Sequence, residues 1–338
     1  MESLLFIPII LSFFITLISL PSWIRKAKQI GLIWEDMNKY DKPKNVAGSG
    51  GIVVIMAFIF GVLSYVAIKT FILDANTTTV KIFALLITIL IASFIGFTDD
   101  IFGWVRGGLS AKLRLLLAFT AAVPLMVINA GYSIIEVPFF RTINMGIIYP
   151  VIFIPIGIAG AITTYNFLAG YNGLETGQGI LIISGLSIVS FLTGSSWLAL
   201  IGLCMVASLS AFYIFNKYPA KVFPGDILTY AIGALIAIMA ILGNFERIAI
   251  FFFIPYIIET ILKLRGKLKK QSFGIPQKDE SLEAPYQKIY GLEHFAILAL
   301  KKIKKDKKVY EREVVYFIWA LQAIIIILGF IIFRKHIF

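Results

Sequence analysis

Long apolar stretches alternate with shorter polar segments along the whole 338-residue chain. A helix needs about 20 mostly apolar residues to cross the hydrocarbon core of a bilayer, so stretches of this length predict transmembrane helices. We predict ten of them, over 3–24, 50–68, 82–98, 113–130, 146–165, 177–193, 197–215, 227–243, 248–264 and 314–333. Between the fourth and the fifth, alternating apolar and polar residues over 131–145 predict a small β-hairpin.

The composition supports an all-α integral membrane protein. Hydrophobic residues make up 59% of the chain and charged residues only 15%, whereas a soluble domain has roughly half and a quarter. This excludes a soluble globular enzyme and a disordered chain, and the single cysteine, Cys204, excludes a disulfide framework. We find no internal repeat, and we predict that residues 1–338 form a single polytopic membrane domain.

The 31 lysines and arginines predict how the chain is oriented. With both termini outside, 25 of the 31 fall in segments that the alternation of helices places inside, as the positive-inside rule requires. The segment 265–312 then becomes a large cytoplasmic loop, and its basic run over 301–308 is interpreted as a topology anchor on anionic lipid. The net charge of +12 is spread between apolar stretches, which does not indicate a nucleic-acid partner.

Polar residues that are unusual for a membrane protein lie at the inside ends of the predicted helices. Ionisable groups at membrane depth are costly and usually functional. Those that we single out are Asp99, Asp100, Lys112, Asn166, Asn172, Glu175 and Asp226. A transporter would place carboxylates near the midplane, and we find only Glu259, near the inside end of the ninth predicted helix. The pattern therefore predicts a site at the cytoplasmic membrane surface, where a water-soluble substrate meets a lipid.

The residue types at this surface indicate phosphate chemistry assisted by a metal ion. Carboxylate and amide oxygens suit Mg²⁺, which shares its coordination shell with phosphates, and a lysine beside acids suits a phosphate oxygen. The sequence has no cluster of Cys and His that would favour zinc. Adjacent acids at a helix C-terminus oppose the helix dipole, so we expect Asp99 and Asp100 to be functional.

Each of the other polar residues also has a purely structural interpretation. Asp226 begins a predicted helix and would serve as its N-cap. Lys112 would extend its ammonium group to the membrane interface. Asn166 and Asn172 would stabilise turns, and Phe223 would be a packing aromatic.

Four motifs in this sequence resemble those of one family, the polyprenyl-phosphate N-acetylhexosamine-1-phosphate transferases. They are Gly96–Asp100, Lys112, Asn166–Gln178 and Phe223–Asp226, and the resemblance covers roughly residues 40–300. The residues Asn-Gly-Leu-Glu-Thr-Gly-Gln at 172–178 are closer to the dolichyl-phosphate branch than to the bacterial phospho-MurNAc-pentapeptide translocases.

The resemblance implies that a lipid phosphate displaces UMP from a UDP-N-acetylhexosamine. UDP-GlcNAc and dolichyl or polyprenyl phosphate are the predicted substrates, in a reaction that starts lipid-linked oligosaccharide synthesis for N-glycosylation. It also implies that Asp226 and Asn166 hold Mg²⁺, or Mn²⁺ in its place, on the pyrophosphate. The same resemblance implies that Phe223 stacks on uracil and that Asn172 helps to read this base.

Further residues take their roles from the same resemblance. Asp99 and Asp100 would lie at the lipid phosphate, and Lys112 would bind phosphate as a catalytic residue. Glu175 belongs to the same substrate-binding motif as Asn172. His294, in the last inside loop, is interpreted as the remnant of a histidine-containing motif that binds the sugar.

The sequence departs from the bacterial pattern in two places and leaves alternatives open. Gly103 and Ala169 stand where bacterial members carry acids, which favours the archaeal or eukaryotic type and hence an archaeal cell membrane or the endoplasmic reticulum. Another UDP-N-acetylhexosamine, or undecaprenyl phosphate in cell-wall or antigen synthesis, remains an alternative. So does a non-catalytic transporter or scaffold, and a homodimer is compatible with the sequence.

Overall fold

The computed structural model describes residues 2–73, 77–136 and 142–337, and helices occupy each of the ten predicted stretches. After a short 3₁₀ turn at Glu2–Phe6, the helices are α1 Ile7–Ile30, α2 Gly51–Phe71, α3 Thr79–Arg106, α4 Ala111–Thr120, α5 Val123–Val127, α6 Ile154–Tyr165, α7 Leu174–Leu192, α8 Ser196–Asn216, α9 Asp226–Gly243, α10 Glu246–Phe252, α11 Ile254–Arg265, α12 Leu292–Ile303, α13 Glu311–Ile332 and α14 Arg334–Ile337.

Seven helices of the described residues are long and apolar enough to cross a membrane: α1, α2, α3, α7, α8, α9 and α13. The other three predicted spans are interrupted, and each is divided where a proline begins a new helical segment. Pro124 begins α5, Pro150 lies in a π-helical turn at Tyr149–Phe153 that precedes α6, and Pro255 begins α11. Proline fits the first turn of a helix because it lacks a backbone N–H. A helical membrane protein is confirmed, while ten crossings with both termini outside remain a prediction.

In helix α9, 89% of the residues are buried, which shows that this helix lies at the centre of the bundle. It packs against α3 and α6 through glycines that let the backbones approach closely. A side chain at Gly96 would collide with the main chain of Asp226, and one at Gly233 would come within 2.6 Å of the carbonyl oxygen of Ala161. These contacts bring the C-terminal ends of α3 and α6 to the N-terminal end of α9.

Among the described residues, three antiparallel hairpins lie between the helices. They pair β1 Ile33–Glu35 with β2 Lys44–Ala47, β3 Ile134–Glu136 with β4 Thr142–Asn144, and β5 Ile275–Pro276 with β6 Leu282–Glu283. The second confirms the hairpin that the alternation over 131–145 predicts, although residues 137–141 lie outside the described part of the chain. The other two were not predicted, because strands of two to four residues leave little periodicity in a sequence.

The β1–β2 hairpin is joined to the segment that precedes α9. The backbone N–H of Phe223 donates to the carbonyl of Ala47 at 2.8 Å, and the N–H of Gly51 donates to the carbonyl of Pro224 at 2.9 Å. These bonds fix the hairpin, the start of α2 and the start of α9 in one rigid unit.

Candidate active site

Asp100 lies in α3, six residues before its last residue, and binds the N-terminus of α9. Its Oδ1 accepts a hydrogen bond from the backbone N–H of Asp226 at 2.8 Å, and its Oδ2 accepts one from the Ser49 hydroxyl at 3.0 Å. The first N–H groups of a helix have no partner within the helix, and its dipole favours a negative charge there. Gly225 makes this approach possible, because a side chain at its φ of 72° would collide with the Asp100 carboxylate.

Asp99 and Arg114 form a half-buried ion pair beside this helix terminus. Asp99 Oδ2 lies 2.8 Å from Arg114 Nη1, and its Oδ1 accepts a hydrogen bond from the backbone N–H of Leu109 at 2.5 Å. The same Arg114 nitrogen lies 3.7 Å from Asp226 Oδ2. The adjacent acids, which are expected to be functional because they oppose the helix dipole, also have structural partners, since both carboxylates accept hydrogen bonds from backbone and side-chain donors.

Asp226 and Asn166 meet, although they come from different helices. Asn166 Nδ2 donates to Asp226 Oδ2 at 3.1 Å, and Asn166 Oδ1 accepts a hydrogen bond from the Thr229 hydroxyl at 3.0 Å. The N-cap interpretation of Asp226 is wrong, because Gly225 occupies that position and the capping carboxylate comes from Asp100. The Asp226 carboxylate is therefore directed away from its own helix backbone and is 26% exposed.

These acids surround a cavity of about 220 Å³. Its lining residues are Trp34, Asp99, Asp100, Gly103, Gly107, Gly108, Leu109, Arg114 and Asp226. Pockets that enclose a whole drug-sized ligand measure roughly 300–1,000 Å³, so this cavity suits the reacting end of a larger substrate. One cation and three acids make it a place where charged groups are held at fixed positions.

Lys112 does not reach this cavity. It is exposed on α4 and makes no hydrogen bond or ion pair with the rest of the described chain. Successive residues of a helix are rotated by about 100°, so Lys112 and Arg114 lie on nearly opposite faces. Arg114 is therefore the cation of the site. The sequence contains both residues, but their spacing alone does not tell which one faces inward.

The donor set fits a magnesium ion that is bound together with a phosphate substrate. Within the described residues, no three acid, His or Cys side chains are arranged to hold a metal by themselves. Mg²⁺ needs no such set, because it usually takes one or two carboxylates and completes its shell with water and substrate phosphates. Asp226 supplies a carboxylate oxygen, and Arg114 supplies a second positive charge for the same phosphates. Asn166 presents its amide nitrogen to Asp226 and its oxygen to Thr229, so the amide would have to turn over for its oxygen to join Asp226 on a metal ion.

Phe223 and Asn172 are placed differently from each other. Phe223 lies three residues before Asp226, which lines the cavity, and it is half-buried. Its carbonyl accepts a hydrogen bond from the N–H of Gly50 at 2.9 Å. Asn172 is buried, and it donates from Nδ2 to Asp36 at 3.0 Å and from its backbone N–H to Glu311 at 2.6 Å. Its Oδ1 has no partner among the described residues. The structure thus ties Asn172 to a buried polar network, and no contact links it to Asp226.

That network is held by a buried lysine. Lys39 pairs with both Glu311 and Asp36. Burial by itself lowers the pKa of Lys39, but the charge of Glu311 and then that of Asp36 raise it above its usual value. The lysine therefore stays charged, and it joins the loop after β1 to the first turn of α13.

Glu175 and His294 also have structural partners. Glu175 is buried, and its Oε1 accepts a hydrogen bond from the backbone N–H of Gly170 at 2.6 Å, which closes the loop before α7. His294 is buried in α12, with its ring nitrogens 3.3 and 3.4 Å from the backbone N–H groups of Tyr286 and Tyr290. Burial lowers the pKa of His294. Neither side chain lines the cavity, because each is turned toward its own loop.

Comparison with known proteins agrees with this geometry. Residues 82–244 match the model of glycosyl transferase family 4, and they run from α3 to α9, the helices that supply Asp99, Arg114, Asn166 and Asp226. A protein of Saccharolobus solfataricus, provisionally named UDP-N-acetylglucosamine–dolichyl-phosphate N-acetylglucosaminephosphotransferase, is 39% identical over 96% of both chains. The chain belongs to glycosyl transferase family 4.

Other relatives connect this chain with both branches of glycosyl transferase family 4. A Sulfolobus acidocaldarius protein with the same provisional name is 31% identical over 95% of this chain and 94% of its own length. A phospho-N-acetylmuramoyl-pentapeptide-transferase of Streptococcus pneumoniae is 27% identical over 74% of this chain and 77% of its own. The family transfers a sugar 1-phosphate to polyprenyl phosphate, so the resemblance seen in the sequence motifs is confirmed.

Proposed function

We propose that this protein transfers N-acetylglucosamine 1-phosphate from UDP-GlcNAc to dolichyl phosphate or a similar polyprenyl phosphate and releases UMP. The observation that carries the proposal is the convergence of Asp99, Arg114, Asn166 and Asp226 at one end of the helix bundle. It is supported by the 39% identity to a protein that is provisionally named for this reaction. The product would start the assembly of a lipid-linked oligosaccharide for N-glycosylation.

In this reaction an oxygen of the lipid phosphate attacks the β-phosphorus of the nucleotide sugar. The bond from that phosphorus to the oxygen bridging to UMP breaks, and UMP leaves with the electron pair. Such transfers depend on positioning and on neutralisation of phosphate charge. Asp226 and Asn166 are the residues that would hold Mg²⁺, or Mn²⁺ in its place, which would supply positive charge that neutralises the phosphates.

Arg114 and Asp99 act on the same phosphates from the other wall of the cavity. The guanidinium group presents several N–H donors in a plane that matches phosphate oxygens. Asp99 holds this group at 2.8 Å and keeps it from turning toward the bulk solvent. We assign the acceptor phosphate to this side of the cavity, and we assign to Asp100 the positioning of Asp226 through the backbone of α9.

The predicted orientation places this cavity at the cytoplasmic surface. The ends of α3, α6 and α9 that carry the site all belong to the segments that hold 25 of the 31 basic residues. Cytoplasmic loops of membrane proteins carry this excess of basic residues, and a nucleotide sugar reaches the enzyme from the same compartment. Since two relatives with high coverage are archaeal, an archaeal cell membrane is the proposed location.

One assay separates this function from its alternatives. Purified protein is mixed with Mg²⁺, a panel of radiolabelled UDP-sugars and either dolichyl or undecaprenyl phosphate, and both the labelled lipid and UMP are measured. We expect one molecule of UMP per labelled lipid, with UDP-GlcNAc and dolichyl phosphate the preferred pair. Transfer of another N-acetylhexosamine would change the substrate, and no lipid product with any UDP-sugar would contradict a transferase.

A further inference from the structure

Trp34 is the one aromatic side chain among the residues that line the cavity. It lies in β1, opposite Val46 in the hairpin, and it is half-buried. The other walls are formed by three acids, Arg114 and a glycine-rich turn. A large aromatic side chain therefore lines a cavity whose other side chains, apart from Leu109, are charged.

One glycine, Gly48, leaves the room that the indole ring occupies. A side chain at Gly48 would lie 2.6 Å from the Trp34 Cδ1 and Nε1 atoms, which is closer than atoms can approach without displacement. A side chain at Gly103 would reach the far end of the ring at 3.5 Å, an ordinary contact. Gly103 and the acid pair line the same cavity, so the indole ring lies beside these acids.

The position of the ring is tied to that of Asp226. Strand β2 pairs with β1 on one side and bridges to Val222 on the other, and the N–H of Phe223 donates to the carbonyl of Ala47. This backbone ladder ends three residues before Asp226. The wall that carries Trp34 and the acid that would hold the metal and phosphate are therefore fixed relative to each other.

The chemistry of the proposed reaction indicates which part of the substrate contacts Trp34. The sugar of the donor is bonded through its anomeric oxygen to the β-phosphorus, so it must lie beside the phosphates that Asp226 and Arg114 hold. A pyranose ring has apolar C–H faces between polar hydroxyl edges. Aromatic side chains offer a large rigid apolar area at low entropic cost. The isoprenoid chain of the acceptor would instead have to enter a compartment lined by three carboxylates.

We propose that Trp34 is a specificity-determining residue that packs on the face of the transferred amino sugar. This rests on the proposed transfer of a hexosamine 1-phosphate. Trp34 would select a sugar by the shape of its C–H face, whereas the phosphates are held by other residues. The base and the sugar would then be recognised independently.

The test compares affinities for UDP-GlcNAc and for UMP, in Mg²⁺, with purified protein. Trp34→Ala should weaken binding of UDP-GlcNAc by about tenfold or more, the scale of losing one stacked aromatic contact, and leave UMP affinity almost unchanged. Trp104→Ala is the matched control, because Trp104 lies outside the cavity and donates from Nε1 to the carbonyl of Gly31 at 2.9 Å. It should leave both affinities as they are.

Gly48→Ala provides a second variant that keeps the tryptophan but displaces the ring. It should likewise weaken binding of UDP-GlcNAc and leave UMP affinity almost unchanged. If Trp34→Ala does not fold, this variant tests the role of Trp34 in its place. Equal weakening of both ligands, or an unchanged ratio of affinities in the folded variants, would overturn the role of Trp34. Transfer activity of the unaltered protein tests the proposed function separately, so the two failures are distinguishable.

Discussion

The Asp100 carboxylate accepts a hydrogen bond from the backbone N–H of Asp226 over 2.8 Å, and in doing so it caps the helix that carries Asp226. A residue from α3 therefore sets the position of an acid at the start of α9. The three acids in the cavity therefore have different roles. Asp100 positions the helix, Asp99 holds Arg114, and Asp226 remains available to the phosphate substrate.

Replacement of Asp100 should therefore affect stability as well as turnover. Loss of a capping side chain costs about 0.5–2 kcal/mol, so we expect Asp100→Ala to lower the free energy of unfolding by this amount. Asp100→Asn keeps one acceptor oxygen and should lose less. Denaturation followed beside UMP release checks both effects. A large loss of turnover by Asp100→Asn at unchanged stability would indicate a direct chemical role instead.

Arg114 and Lys112 form a matched pair of basic residues on one helix. Arg114→Ala removes the partner of Asp99 and the positive charge in the cavity, so turnover should fall by about 100-fold, the scale of losing one preorganised electrostatic contact. Lys112→Ala should leave turnover close to that of the unaltered protein because Lys112 is exposed outside the cavity. Steady-state kinetics with varied polyprenyl phosphate measures both. A large loss of turnover in Lys112→Ala together with near-normal turnover in Arg114→Ala would show that Lys112, and not Arg114, binds the phosphate.

His294 should influence stability in acid rather than sugar binding. Burial lowers its pKa in the folded protein, so the unfolded chain takes up a proton first as the pH falls. The stabilisation is complete above the usual histidine pKa of about 6.5 and is lost at lower pH. His294→Gln should therefore make the unfolding free energy less dependent on pH between about 7 and 5. An unchanged pH profile together with a raised KM for UDP-GlcNAc would favour the sugar-binding role.

Sequence periodicity predicts the helices of this fold well, and it places Asn166 and Asp226 at the same face, whereas their pairing was implied by the family resemblance. The alternation of ten apolar stretches assigns the ends of α3, α6 and α9 to one side, and the contact between these two residues agrees with it. What the pattern does not predict is the direction of a side chain at a helix terminus. Nothing in the pattern indicates that Asp100 binds the N-terminus of a helix 126 positions away.

Two residues that line the cavity, Trp34 and Arg114, were not predicted from the sequence, and the physical reason is the same for both. Trp34 lies on a three-residue strand, and Arg114 is separated from Lys112 by one residue. Both are placed by tertiary contacts with residues far away in sequence. Asn172, Glu175 and His294 remain predicted at the substrate. In the structure each has hydrogen-bond partners within the protein, as buried polar groups generally do.

The magnesium dependence of UDP-GlcNAc binding by Asp226→Asn is the most direct measurement of how this site works. Asparagine has the same shape and keeps a carbonyl oxygen for the Asn166 amide, but it removes the charge that would hold the cation. Asp306→Asn makes the same change at an exposed acid, 57% accessible, and serves as the control.

Binding is measured over a series of Mg²⁺ concentrations beside thermal unfolding without ligand. We predict that Asp226→Asn keeps its unfolding temperature, loses the gain in UDP-GlcNAc affinity that Mg²⁺ gives the unaltered protein, and releases UMP at least about 100-fold more slowly. An Asp226→Asn protein that turns over normally with an unchanged Mg²⁺ dependence would contradict the assignment of the metal and phosphate to Asp226.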